Sequence, residues 1–324
     1  MPESIKEQVK NGAIGNLYLL YGEEPYLVAM NVGRLKKALL EPDDELMNFD
    51  LIEEGSDTDS IRASIETLPM MVERRVVLIR NAHIFEGGAA YTGLEKVFED
   101  IPDTVTVIVQ EEKVDKRSKV YKAIAKNGQV FELNRLEEGP LISWVAYLFR
   151  KAGVTVGRNE IAYLLSLTGN DMSRIESETG KLLSYVKEKG VCRREDIDAI
   201  VSPTIEARIF KMTDQLGAGR RADAYQSYRD LLAAGEPVQR IFFMIIRQFR
   251  LLYKASLFSS KDRYEAAKVL KVPAFAAANY ISQAGRFGRQ KLLATLQQLL
   301  EMDTKIKSGA MQPEDAVLLI MLGR

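Results

Sequence analysis

Leu17-Tyr18-Leu19-Leu20-Tyr21 is an unbroken apolar run closed by Gly22, the pattern of a short strand buried on both faces. Pro25 suits the first turn of a helix, and Val28, Val32, Leu35 and Leu39 then recur at helical spacing. The same alternation continues over roughly the first 135 residues. Asn48–Ile52 is a second candidate strand, and Ile61, Ile65 and Leu68 place an apolar stripe on a short helix after the acidic start DTDS. Arg75–Arg80 is a third strand, and a helix around Leu94, Val97 and Phe98 leads to a fourth at Thr104–Val109. Ser118 is placed to cap a helix carrying Val120, Ala123 and Ile124, and Gln129–Glu132 closes the series. Five β-rich runs alternating with helices predict a mainly parallel sheet covered on both faces.

After Leu136 the strand pattern stops. LEEGP reads as a linker, and Leu141 to Ser202 as four short helices bounded by Gly153, Gly157, Gly169-Asn170-Asp171, Gly190 and Pro203. Ile205 to Arg324 is helical throughout, with expected breaks at Gly217-Ala218-Gly219, Gly235-Glu236-Pro237, Lys271-Val272-Pro273, Gly285 and Gly309. The expected organisation is an α/β domain over 1–138, a small helical domain over 139–204 and a larger helical domain over 205–324.

Composition narrows the chemistry. Lys+Arg and Asp+Glu both total 45 in 324 residues, so any polyanionic partner must be held by a local patch. Cys192 is the only cysteine and His83 the only histidine, which leaves almost no material for an internal disulfide, a Cys/His metal site or a serine triad. His83 follows a strand in RNAHIF and reads as a loop or core histidine. The N-terminal MPESIKEQVKNG lacks the apolar core of a signal peptide. Stretches such as IFFMII fall far short of the ~20 residues that span a bilayer. A cytoplasmic protein without membrane attachment is expected.

A strand, glycine turn and helix is where a phosphate-binding loop sits in nucleotide-binding α/β domains. Such a loop needs GxxxxGK followed by Ser or Thr, with backbone N–H groups and a lysine around the phosphates. Here the turn reads GEEPYL: Gly22, Glu23, Glu24 and Pro25 place two carboxylates and a residue without an N–H in that position. The segment is either an ordinary βα turn or a degenerate cradle, and phosphate binding is not expected in either case. The third strand ends in Arg80-Asn81, where an ATPase would carry Mg²⁺-binding carboxylates. Glu111 and Glu112 end the fourth strand, as a solvated strand end or, less simply, a metal pair. In GNDMSRIESE, Ser173 takes the place of a γ-phosphate-sensing arginine, or Arg174 does if the register slips by one. No cofactor, no metal and no catalytic residue are expected.

Two segments suggest binding to macromolecules. In TLPMMVERR, Pro69 biases Leu68 out of the helical region, and Met70 and Met71 follow side by side before Glu73-Arg74-Arg75. Adjacent residues of an extended segment point opposite ways. The pair is therefore one core and one exposed methionine, or an adaptable apolar knob ringed by charge and made to enter a partner's pocket. In PVQRIFFMIIRQFRLLYK, Ile241, Phe242, Ile245, Ile246, Phe249 and Leu252 share one helix face. At about 100° per residue, Arg240, Arg247, Arg250 and Lys254 fall on the opposite one. That face is a solvated one, or a contact for DNA phosphates or a neighbouring subunit.

YLLYGEEPYL, NFDLIEEGSDTDSI, ETLPMMVERRVVLIRNA, EEKVDKRSKVYKAI, LTGNDMSRIESETGKL, DIDAIVSP, IFKMTDQLGAGRRADA and GEPVQRIFFMIIRQFRLL occur in this order along the whole chain. In these segments the chain resembles the delta-subunit family of the bacterial DNA polymerase III clamp loader. The resemblance implies an α/β plus all-α fold: an AAA+-like parallel-sheet domain without a P-loop, a helical lid and a helical collar for oligomerisation. It implies a non-catalytic subunit of the DNA-directed DNA polymerase holoenzyme that binds the β sliding clamp and opens its ring. Its implied partners are the tau/gamma ATPase and delta-prime subunits, with primed DNA met through the complex. The family's clamp-binding element, a neighbouring hydrophobic pair, falls on Met70 and Met71 with Leu68 alongside; a Met-Met pair departs from the family's usual aromatic or leucine. The competing reading is a divergent AAA+ ATPase such as a helicase loader.

Overall fold

In the computed structural model, residues 4–86 and 91–322 are described, and the chain divides into two compact units between Arg135 and Leu136. The first unit runs α1 (Ile5–Asn11), β1 (Leu17–Tyr21), α2 (Pro25–Leu39), α3 (Glu45–Asn48), β2 (Phe49–Ile52) and α4 (Thr58–Glu66). It continues with β3 (Arg75–Arg80), α5 (Leu94–Val97), β4 (Val105–Glu111), α6 (Lys119–Asn127) and β5 (Gln129–Glu132). All five strands are parallel, in the order β2-β3-β4-β1-β5. Because strand side chains alternate, each strand feeds two cores. Leu17, Leu19, Val77, Ile79, Val107 and Val109 pack with Ile61 and Ile65 of α4 and Ile124 of α6. Tyr18, Leu20, Val76, Leu78 and Ile108 pack instead with Ile5 of α1 and with Val28, Val32 and Leu35 of α2. Ser118 caps α6, its hydroxyl accepting from the Tyr121 N–H at 3.1 Å.

Two local readings change here. The helix of Ile61 and Ile65 ends at Glu66, and Thr67 is already extended with ψ 124°, so Leu68 leaves the helical stripe and stands exposed. β4 starts one residue late and continues to Glu111, because its register with β1 holds as far as the Tyr21–Glu111 pair.

The second unit is α7 (Glu138–Lys151), β6 (Thr155–Val156), α8 (Arg158–Thr168), α9 (Met172–Val186), β7 (Val191–Cys192) and α10 (Arg194–Ile200). It goes on with α11 (Ile205–Gly217), α12 (Arg221–Ala233), α13 (Val238–Ala255), α14 (Arg263–Leu270), α15 (Ala274–Phe287), α16 (Arg289–Lys307) and α17 (Pro313–Leu322). LEEGP is not a free linker: Glu138, Gly139 and Pro140 form the first turn of α7, a position where proline's missing N–H costs nothing. β6 and β7 add a two-residue parallel pair, too short to leave a periodic signal. Gly285 lies inside α15; the break comes at Gly288, with φ 77°. Helix α13 is the axis of the later helices, burying Ile241, Phe242, Ile245, Phe249 and Leu252 among Met212, Tyr228, Leu292 and Val317. Among the described residues, no helix is long and apolar enough to cross a membrane.

Candidate functional site

The Gly22 turn is closed from within. Leu133 donates its N–H to the Tyr21 carbonyl at 2.7 Å, and Glu24 donates its own to the Leu133 carbonyl at 3.1 Å. The turn therefore continues the β1–β5 ladder instead of arching away as a phosphate loop. Gly22 sits at φ 140°, and a Cβ there would stand 2.7 Å from the Leu133 carbonyl carbon. Only glycine fits. Glu24 is 4% exposed, and its Oε1 accepts from the Tyr26 N–H at 3.3 Å as the N-cap of α2. A helix N-terminus is a natural anion site, and here the chain's own carboxylate occupies it. Glu23 is exposed beside it, so a phosphate would meet two negative charges.

The other positions of an ATPase are equally committed. Arg80 donates to Glu53 Oε1 through Nη2 at 2.6 Å and Nε at 3.1 Å. Glu111 is not a solvated strand end: it is 3% exposed, and burial pushes its carboxyl above the usual range against the pull of the His83 backbone N–H. Glu112 is exposed, so the two carboxylates do not converge. Arg174 donates from Nη2 to the Ser202 carbonyl at 2.8 Å, tying α9 to the segment before α11, and Ser173 is exposed on the helix surface. His83 is an exposed loop residue at φ 57°, its Nδ1 3.1 Å from Glu86. Cys192 is buried, and desolvation pushes its thiol up to about 11. Among the described residues, no group of three or more His, Cys, Asp and Glu side chains could hold a metal ion.

The Leu68–Met71 loop behaves in the opposite way. Leu68 is 69%, Met70 55% and Met71 101% exposed. Neither methionine is core. Met71 holds φ 62°, the left-handed region that non-glycine residues enter at a cost. The fully buried Asn48 holds the loop: its Oδ1 accepts from the Met70 N–H at 2.6 Å, and its Nδ2 donates to the Met70 carbonyl at 3.0 Å. Arg74 and Arg75 do not form the expected charged rim. Arg74 Nη1 reaches the Ile14 carbonyl at 3.1 Å. Arg75 is buried, with Nη1 on the Met47 carbonyl at 2.6 Å and Nη2 on Asp50 Oδ2 at 2.7 Å. Two inward arginines and one asparagine thus present an apolar tip. Asn48 carries no sequence signal for this role, since its partner lies 22 residues away.

On α13, Arg240, Arg247, Arg250 and Lys254 all face solvent, as does Phe243 among them, at 64% exposure. Arg240 pairs with Glu236 at 3.1 Å and Arg247 with Glu206 at 3.9 Å. The stripe is thus less cationic than its sequence. Ile246 is only partly buried.

Two family models match this architecture: "DNA polymerase III, delta subunit" over residues 18–134, and "DNA polymerase III delta subunit, C-terminal domain" over residues 206–323. The chain belongs to the DNA polymerase III delta subunit family. It is 26% identical over 315 residues to the DNA polymerase III subunit delta of Bacillus subtilis, covering 94% of this chain and 91% of that one. It is 25% identical over 208 residues to a probable DNA polymerase III subunit delta of Aquifex aeolicus, covering 62% and 59%. Among solved structures, the Bacillus subtilis DNA clamp loader delta protein superposes with a TM-score of 0.68 at 25% identity, over 98% of both chains. Delta-family membership and the α/β plus all-α architecture agree with the eight ordered segments and with the parallel sheet.

Proposed function

We propose that this delta-family chain grips the ring-shaped β sliding clamp through Leu68, Met70 and Met71 and opens the ring for loading onto primed DNA, with no ATP hydrolysis of its own. The observation that carries this reading is the Leu68–Met71 tip, exposed yet fixed by Asn48. A large apolar surface held rigidly in water suits a partner's pocket better than it suits the isolated chain. A ligand shifts an equilibrium only by binding one state better than the other. A subunit without ATPase chemistry must therefore draw ring-opening energy from binding, and the tip can supply it.

In the same reading the helical block after Ser202 assembles with the tau/gamma ATPase and delta-prime subunits in the cytoplasm. Arg240, Arg247, Arg250 and Lys254 are then contacts for a subunit or DNA. A pull-down with the cognate β clamp, using native protein and the Met70→Ala/Met71→Ala variant, tests the grip; retention of the variant at native levels overturns it. Calorimetry with ATP–Mg²⁺ is expected to show no binding. Micromolar binding that is lost on mutation near Gly22 would replace this reading with an active ATPase.

A further inference from the structure

The one-turn helix α3 displays Leu46 at 92% and Met47 at 54% exposure, as open as the Leu68–Met71 tip. Four residues do not hold a helix by themselves, so this turn exists because other groups fix it. Lys36 Nζ pairs with Glu45 Oε2 at 2.8 Å. Asn48 Nδ2 reaches back to the Asp44 carbonyl at 3.2 Å, and Arg75 holds the Met47 carbonyl. Asn48, the last residue of α3, is also the residue that clamps Met70. The buried groups that present the tip therefore present α3 as well. The two apolar displays form one rigid unit, with their backbones a side chain's length apart.

Within the two displayed segments the charges have one sign, with Lys36 of α2 paired to Glu45. Glu41, Asp43, Asp44, Glu45, Glu66 and Glu73 are all the charged residues of segments 41–47 and 66–73. The cations that follow, Arg74 and Arg75, turn inward. Charged rims around apolar centres govern encounter and register more than raw affinity.

We propose that Leu46 and Met47 are a second anchor on the same clamp that takes the tip, and that the receiving surface is an apolar pocket with a basic rim. This rests on the reading that the tip grips the clamp. The occupant is the clamp because Asn48, the last residue of α3, is hydrogen-bonded to the Met70 backbone, so the two displays stand side by side within reach of one partner. A second anchor also has mechanical sense. One knob lets a bound ring pivot, whereas two fixed points transmit torque to the ring interface.

The test measures clamp affinity of the full-length chain by surface plasmon resonance in a salt series. Leu46→Ala/Met47→Ala should weaken binding about tenfold or more at unchanged melting temperature, and Met70→Ala/Met71→Ala by more. Native affinity should fall as salt rises, and Asp43→Asn/Asp44→Asn should flatten that slope. If the α3 double variant melts early, Leu46→Gln alone carries the test, its side chain being almost wholly in solvent. Native affinity in the α3 variants alongside loss in the tip variant removes the second anchor and leaves the clamp reading standing. Native affinity in both removes the clamp reading itself. A salt-independent affinity overturns the basic rim.

Discussion

The Gly22–Pro25 turn and the Leu68–Met71 loop belong to the same unit and treat their groups in opposite ways. In the first, polar groups are satisfied internally: the Glu24 N–H goes to Leu133, the Glu24 carboxylate goes to the start of α2, and glycine makes room for the neighbouring backbone. In the second, the backbone is satisfied by Asn48 while three large apolar side chains are left in water. Both loops are tied by hydrogen bonds to residues distant in sequence. A turn whose Glu24 and Tyr26 N–H groups are committed and whose two carboxylates repel anions has little to offer a phosphate, whereas a loop whose Met70 backbone is satisfied but whose side chains are not has binding free energy in reserve.

The sharpest way to break this contrast is to compare core with tip. Val77→Ala/Leu78→Ala removes side chains buried on both faces of β3 and should lower unfolding stability by about 4 kcal/mol or more, seen as loss of the first unit's cooperative thermal transition. Met70→Ala/Met71→Ala should leave the melting temperature within about 2 °C. If the tip variant melts as the core variant does, the two loops do not differ as described.

Next in size is the effect on binding. Burying a methionine contributes roughly 1.5–3 kcal/mol, so removing both should cut clamp affinity by about a hundredfold or more. Fluorescence anisotropy with labelled clamp measures this directly. An intact affinity would place the grip elsewhere.

Gly22→Ala sharpens the other side of the comparison. A Cβ against Leu133 at φ 140° should cost about 1–3 kcal/mol, read as a lower denaturant midpoint at unchanged slope. ATP should remain unbound, because Glu24 still occupies the helix start. A variant as stable as native would mean the turn is not held against β5.

The smallest effect concerns pH. Burial raises the Glu111 carboxyl above its ordinary 4.5, so the folded state holds the proton more tightly than the unfolded chain does. The resulting stability is full below 4.5 and is lost as pH rises through the raised folded value. Glu111→Gln should flatten that part of the stability–pH curve in chemical denaturation. An unchanged slope would show that Glu111 does not sense its burial.

Much of this molecule could be read from residue order. β1 and β3 lie where their apolar runs predict, because a strand covered on both faces is apolar along most of its length, and the partly buried edge strand β5 also falls at Gln129–Glu132. The start of α2 at Pro25 and the Ser118 cap follow from local stereochemistry that needs no distant partner. The displaced features have equally physical causes. Gly285 is accommodated inside α15, and β6 and β7 exist only because each pairs with the other. Sequence also marks Met70 and Met71 as an adjacent apolar pair beside charge. It leaves open whether they are core, because exposure is a property of what packs over a residue. The tertiary structure decides that through contacts between distant residues: Asn48 to Met70, Arg75 to Met47 and Asp50, Arg74 to Ile14. Each is a polar group whose burial is tolerable only with a hydrogen-bond partner in place, and that partner is chosen by the folded chain.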